Sequence, residues 1–261
     1  MQTSELRSFL SSSVQNSAVL TDYAVMEALK GNTLASVYKS LSILSEFPDQ
    51  VVVLKTTYDV CGLHGQSRGL QRRLVDVPRT REFSIFCHAL KSAQRGDSAM
   101  QGELMRVGTE ATQHLDRMLV DAPSFASSGA EVAQSLTQDE RRMLRSGQPY
   151  PRMFVGKIID HVVQIAAVLF EQHPAVRRWP HPTELLNTYI FRSALCHFLL
   201  VLRWTSVGGV AGKAPAKLRN DMVDMHFAAY STYFNGLLSN DRAASTLAED
   251  ASSILRRLQV A

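Results

Sequence analysis

Apolar and polar residues follow one another along this chain with two different periods, and the change of period organises it. Ala18-Val19-Leu20 and the run 50–55 are short apolar segments bounded by polar residues and read as buried strands. Gly236-Leu237-Leu238, leading into Ser239-Asn240-Asp241, reads as a third. Elsewhere apolar residues recur three and four apart, predicting helices over 81–93, 98–121, 129–146 and 154–173, with Gly96, Pro123, Gly147, Pro149, Pro151 and Pro174 as punctuation. The stretch 185–207 is the most apolar, yet Asn187, Arg192, His197 and Arg203 interrupt it, which predicts a buried helix and no membrane insertion. No repeat is visible, so a solenoid is not expected. The fold class that follows is α/β: a small parallel sheet flanked by helices, elaborated by a largely helical middle region.

The acids are placed where this pattern gives them meaning. Asp221 and Asp224 stand three apart near the start of a helix, so they share one side of it, and Ala228 continues that side with a small residue. Met222, Val223, Phe227, Tyr230, Tyr233 and Phe234 supply apolar packing. A plainer reading makes Asp221 a helix cap and Asp224 a first-turn acid favoured by the helix dipole. Asp22 and Asp241 each follow an expected strand. Ligand sites in open α/β sheets form beyond the carboxyl ends of the strands, so the two ends of the chain are expected to build one site. Clustered carboxylates repel one another unless a cation lies between them, which points to a hard divalent ion.

These residues resemble the PIN-domain nucleases, a family that includes the ribonuclease toxins of bacterial toxin–antitoxin pairs. Asp22 with Glu27 looks like the family's first strand-ending Asp and the acid on the helix that follows. Asp221 or Asp224, then Ser239-Asn240-Asp241 after 17 to 20 residues, looks like its last acidic pair. The resemblance covers about 17–65 and 215–258 and implies a PIN-like core over 1–80 and 150–261 with a helical insertion over 81–149. Where the family usually has a second Glu, the helix after the second strand offers Asp59 and then Cys61; Glu27 is the first substitute and Glu82 another. The implied activity is phosphodiester hydrolysis of RNA or single-stranded nucleic acid with Mg2+ or Mn2+ held by Asp22, Asp224, Asp241 and Asp221, with Glu27 near and Ser239 positioning Asp241. On this reading Asp22→Asn or Asp241→Asn abolishes cleavage and leaves the fold intact, or raises thermal stability by relieving carboxylate repulsion.

Composition suits an enzyme-sized fold: 45% of the residues are hydrophobic and 20% charged, enough to bury a substantial core. Cys61, Cys87 and Cys196 are odd in number and widely spaced, which argues against a disulfide framework or zinc knuckle and makes a reducing cytoplasm the simplest home. The net charge of +4 favours an anionic partner. Arg68, Arg72, Arg73, Arg79 and Arg81 follow the second strand, where they suit the phosphates of a single strand or simply form a solvated basic face. The glycine-containing stretch before the acidic helix carries Lys213 and Lys217 and reads as a substrate clamp or as a plain linker. It is not a P-loop, because Ala214 stands where Ser or Thr would meet magnesium.

Thr137 with Glu140 has the spacing of a capping box. Asp160-His161 and Asp224-Met225-His226 lack the order and spacing of a helical metal phosphohydrolase, and His226 reads as a neighbour of the acidic site within reach of substrate. A second reading keeps a PIN-like core as an inactive helical binding or assembly protein whose acids are caps. A homodimer and an inhibitory partner protein are both compatible with the resemblance.

Overall fold

The structure, a computed structural model, describes residues 3–30, 33–65, 70–146, 148, 150–209 and 213–260. They are mostly helical, with one small parallel sheet of two strands. The chain divides into two compact units, one of Met1–Val60, Gln71–Arg117 and Leu238–Asn240, the other of Cys61–Leu70, Met118–Leu237 and Asp241–Ala261.

The first unit holds α1 (Thr3–Ser12), β1 (Ala18–Leu20), α2 (Asp22–Leu29), α3 (Leu34–Leu41), β2 (Val51–Val53), most of α4 (Thr57–Cys61) and of α5 (Leu70–Leu74), α6 (Val77–Gln94) and the first half of α7 (Ser98–Ser135). β1 and β2 pair in register, Ala18 with Val51 and Leu20 with Val53, and the Leu54 N–H donates to the Leu20 carbonyl at 2.9 Å. The segment after α5 lies along the other edge of β2: Val75 bridges Leu54 antiparallel, and the Lys55 N–H donates to the Leu74 carbonyl at 2.9 Å. β-Branched valines suit this pleated, enclosed position. Leu10, Leu20, Leu29, Val37, Leu41, Val53, Phe83 and Leu90 close the core around the sheet. The Gln50 side-chain amide donates to the carbonyls of Leu10, Ser13 and Asn16, which fixes the end of α1 and the turn after it beside the start of β2.

The second unit contains the rest of α7, then α8 (Gln138–Ser146), α9 (Arg152–Gln172), α10 (Pro182–Leu185), α11 (Tyr189–Ser206), α12 (Pro215–Ser231) and α13 (Arg242–Val260). α11 is its centre, packed against α8, α9, α12 and α13. Phe191, Leu195, Cys196 and Leu202 on it are fully buried. Burial on most sides explains the nearly continuous apolar run, and the partly exposed positions Ser193, His197, Arg203, Thr205 and Ser206 are polar.

Four expectations are corrected here. The run 236–241 is not a strand: it is irregular, and α13 begins just after it. Two apolar residues, Leu237 and Leu238, are too few to hold an edge, and Asp241 starts a helix instead. The helices expected over 98–121 and 129–146 divide elsewhere, since α7 runs continuously to Ser135 through Pro123 and α8 follows from Gln138. Thr137 and Glu140 make the capping box between them: the Thr137 N–H donates to Glu140 Oε2 at 2.7 Å and the Glu140 N–H to Thr137 Oγ1 at 3.2 Å. The stretch 185–207 is broken at Thr188, whose hydroxyl accepts from the Phe191 N–H and caps α11. Finally, α12 starts at Pro215, so neither Asp221 nor Asp224 lies at its N-terminus and the cap reading of Asp221 falls.

Because Leu195 lies at the centre of α11 with no exposed surface, Leu195→Ala is expected to cost about 2–5 kcal/mol through lost burial and a residual cavity. Urea unfolding followed by circular dichroism measures it, and a change below about 1 kcal/mol would contradict α11 as the core helix.

Candidate functional site

The carboxyl end of β1 and β2 is where two helices begin. Thr21, in extended backbone, caps α2 by accepting from the Ala24 N–H at 3.1 Å. Asp22 is the first residue of that helix, an acid in the first turn where the macrodipole favours it. Thr56 caps α4: its hydroxyl accepts from the Asp59 N–H at 3.2 Å and donates to Asp59 Oδ2 at 2.7 Å. The next N–H, that of Thr57, has no partner inside its own helix and donates to Asp22 Oδ2 at 2.6 Å, while the Thr57 hydroxyl donates to Asp22 Oδ1 at 2.8 Å. The Tyr23 N–H adds a bond to Oδ1 at 2.9 Å. One carboxylate thus joins the ends of both strands and the starts of both helices.

The other acids of this unit have separate partners. Glu27 pairs with Lys30, the residue that follows the last turn of α2, and its second oxygen is buried with no partner among the described residues. Asp59 is engaged by Thr56, as above. Glu82 is exposed on α6. Arg72 and Arg73 are exposed on α5, which the Leu74–Lys55 bond fixes beside the segment leading to Thr57. Arg79 pairs with Asp76 at 3.6 Å and Arg81 is exposed. Arg68 lies outside the described residues.

In the second unit, Asp221 is taken up by a cation of the chain itself. Its Oδ2 accepts from Trp204 Nε1 at 2.8 Å and from Lys213 Nζ at 3.0 Å, and the ammonium lies 5.1 Å from the centre of the Trp204 ring. Lys213 is therefore tied to the helix below it and does not hang over a site as a clamp, whereas Lys217 is exposed on the first turn of α12. Asp224 is half-buried one turn after Asp221. Asp241 is the N-cap of α13: Oδ1 accepts from the N–H groups of Ala243 at 2.6 Å and Ala244 at 3.3 Å, and its carbonyl accepts from the Ser245 N–H at 3.0 Å. Ser239 sits in the irregular segment before it. His226 does not face an open acidic site; its ring stacks on Tyr189 at an interplanar angle of 9°, and its Nδ1 is 2.8 Å from the Tyr189 hydroxyl.

Asp22 belongs to the first unit and Asp221, Asp224 and Asp241 to the second. Among the described residues, no three His, Cys, Asp or Glu side chains form a metal-binding group. Asp22 itself fits a metal ligand, since an ionised carboxylate offers about four acceptor positions and three are used. Asp221 fits less well, its charge being answered by Lys213. Thr57 was missed by the sequence reading, although Thr56-Thr57-Tyr58-Asp59 is a helix-start pattern directly after a strand and could have pointed to it. The Trp204–Asp221–Lys213 group has no local signature. No protein-family model, no curated protein and no solved structure matches this chain.

Two outcomes follow. With Thr57 as its partner, Asp22→Asn removes an acceptor from a donor pair, so it is expected to lower stability by about 1–3 kcal/mol where the sequence alone suggested a gain, and chemical denaturation decides the sign. Burial holds the imidazole of His226 down at about 3, with the nearby His197 adding to the effect, and holds His197 at about 4, both below the ordinary 6.5. The unfolded chain then binds more protons between these values, so stability is full above pH 6.5 and falls as pH drops toward 4 and 3. Melting temperature against pH should fall through that window and fall less in His226→Gln; identical profiles would refute the assignment.

Proposed function

We propose that this chain is a PIN-like, divalent-metal-dependent nuclease that hydrolyses phosphodiester bonds of RNA or other single-stranded nucleic acid, with Asp22 as the anchor of its metal site. The observation that carries the reading is the position of Asp22: a carboxylate at the carboxyl end of a parallel strand pair, oriented by Thr57 through two hydrogen bonds. Asp22 would hold Mg2+ or Mn2+ there, and the chemistry such an ion would supply is an acidified water and neutralisation of charge on phosphorus. The chain's own contribution is orientation and attraction. Thr57 keeps the carboxylate in one rotamer, and Arg72 and Arg73 draw the phosphates of a single strand to the same edge. Asp224 and Asp241 belong to the other unit and, with Ser239 beside Asp241, remain candidates through the family resemblance alone.

A second reading is a binding or assembly protein that uses the same acids as structural anchors. The engagement of Asp221 by Lys213 and of Asp241 by the first turn of α13 favours it. Calorimetric titration with Mn2+ separates the two, because caps and ion pairs take up no metal. Incubation with labelled single-stranded RNA and DNA, with Mn2+ or with chelator, should give cleavage that requires the metal and drops about a hundredfold or more in Asp22→Asn at a temperature where that variant is folded. Asp224→Asn and Asp241→Asn, assayed separately, ask whether those carboxylates take part. Undiminished metal-dependent cleavage by Asp22→Asn would overturn the proposal.

A further inference from the structure

Arg192 is a cation inside the buried central helix of the second unit, 5% exposed. Its Nε donates to the Leu186 carbonyl at 3.1 Å, and its Nη1 donates to the Thr232 carbonyl at 2.7 Å and to the Thr232 hydroxyl at 3.1 Å. The guanidinium carbon lies 3.8 Å from the centre of the Tyr233 ring. Every one of these partners is neutral. The carbonyl of Thr232, at the end of α12, brings the negative end of a helix dipole, which offsets part of the charge and explains Nη1. Nη2 donates to no described residue, and no described carboxylate pairs with the group. Burial accordingly lowers the Arg192 pKa from its ordinary value, with Tyr233 and Cys196 acting in the opposite direction.

A buried cation without an anion is costly, and the cost is relieved by a negative charge brought to it. Arg192 borders a cavity of about 230 Å³ at the end of α12 and against α13. Thr232, Asn235, Ser252, Arg256 and Gln259 also line it, and no acid among the described residues does. Ser252, Arg256 and Gln259 are spaced to share one face of α13, so a second guanidinium, a hydroxyl and an amide point the same way. The cap role of Arg192 requires neither its Nη2 nor this second arginine.

We propose that this cavity is a binding site for a phosphate group with at least three unesterified oxygens. Arginine presents paired N–H donors that match phosphate oxygens, and a terminal phosphate has three such oxygens to share between two guanidiniums and the neighbouring hydroxyl and amide donors. A carboxylate has only two, in one plane. The group is either free inorganic phosphate or the end of a nucleotide chain, and the same contacts serve both. The site requires no metal and no hydrolysis, so it goes beyond the proposed nuclease activity and does not stand or fall with it.

The test is calorimetric titration of the full chain in the presence of chelator with inorganic phosphate, with acetate, and with two single-stranded oligonucleotides identical except for a 5′ phosphate. Inorganic phosphate should bind more tightly than acetate, or the phosphorylated strand about tenfold or more tightly than its twin, and Arg256→Gln should erase the preference with melting temperature unchanged. Binding of inorganic phosphate identifies the free ion as sufficient; preference only between the strands identifies the chain end. Absence of both preferences, or their survival in Arg256→Gln, overturns the proposal. Arg256 is exposed, so the variant tests binding and not folding.

Discussion

Two helices start where two parallel strands stop, and the carboxylate of Asp22 serves both starts. A helix N-terminus leaves N–H groups without intrahelical partners and a partial positive charge. Asp22 answers this at its own helix from the first position and at α4 through the Thr57 N–H. Because Thr57 also donates its hydroxyl, both carboxylate oxygens are fixed and the rotamer is chosen. The register of β1 on β2 brings these groups within reach: Leu20 lies opposite Val53, so the residues that follow each strand leave the sheet together. The arrangement that holds the edge together is also the arrangement a metal ligand needs, a carboxylate whose direction is set before the ion arrives.

The second unit solves a different problem, how to enclose a long apolar helix that nonetheless carries polar groups. Several of those are met at a helix end or by a ring. The Tyr233 hydroxyl donates to the Asn187 carbonyl at the break before α11, Thr188 caps that helix, and Tyr189 meets His226. Trp204 anchors Asp221, and Lys213 completes the pair, so α11 is fastened to α12 by one carboxylate. A buried polar atom without a partner costs about 1–3 kcal/mol, so these contacts make the apolar packing of α11 possible as much as they add to it.

The parts of this architecture that were legible in the sequence are those specified by neighbours in the chain. β1 and β2 are visible because three consecutive valines, and an Ala-Val-Leu run stopped by Thr-Asp, have few other uses. The Thr137–Glu140 box is visible because both of its bonds are local. Local signals were also present where the expectation failed: Pro215 suits the first turn of a helix, and Asn240-Asp241 before an amphipathic run suits a cap. Continuity of α7 through Pro123 runs against the residue's preference and has no local sign. Trp204 and Asp221 meet across 17 residues and Asp22 and Thr57 across 35, and only the packing of whole elements brings such pairs together.

Three ionised groups in the interior or at helix ends show how charge is handled here. Asp22 is an anion answered by two helix starts, and Asp221 is an anion answered by Lys213. Both are settled within the chain. Arg192 is more deeply enclosed than either, yet it is met only by carbonyls, a hydroxyl and an aromatic face, and the cavity beside it adds a second arginine where a carboxylate would have balanced the first. An apolar side chain at that place would fill α11 without the desolvation cost, and Thr232 could end α12 on water. What distinguishes the cation from the other two is that no carboxylate among the described residues answers it, and the proposed phosphate would supply that charge.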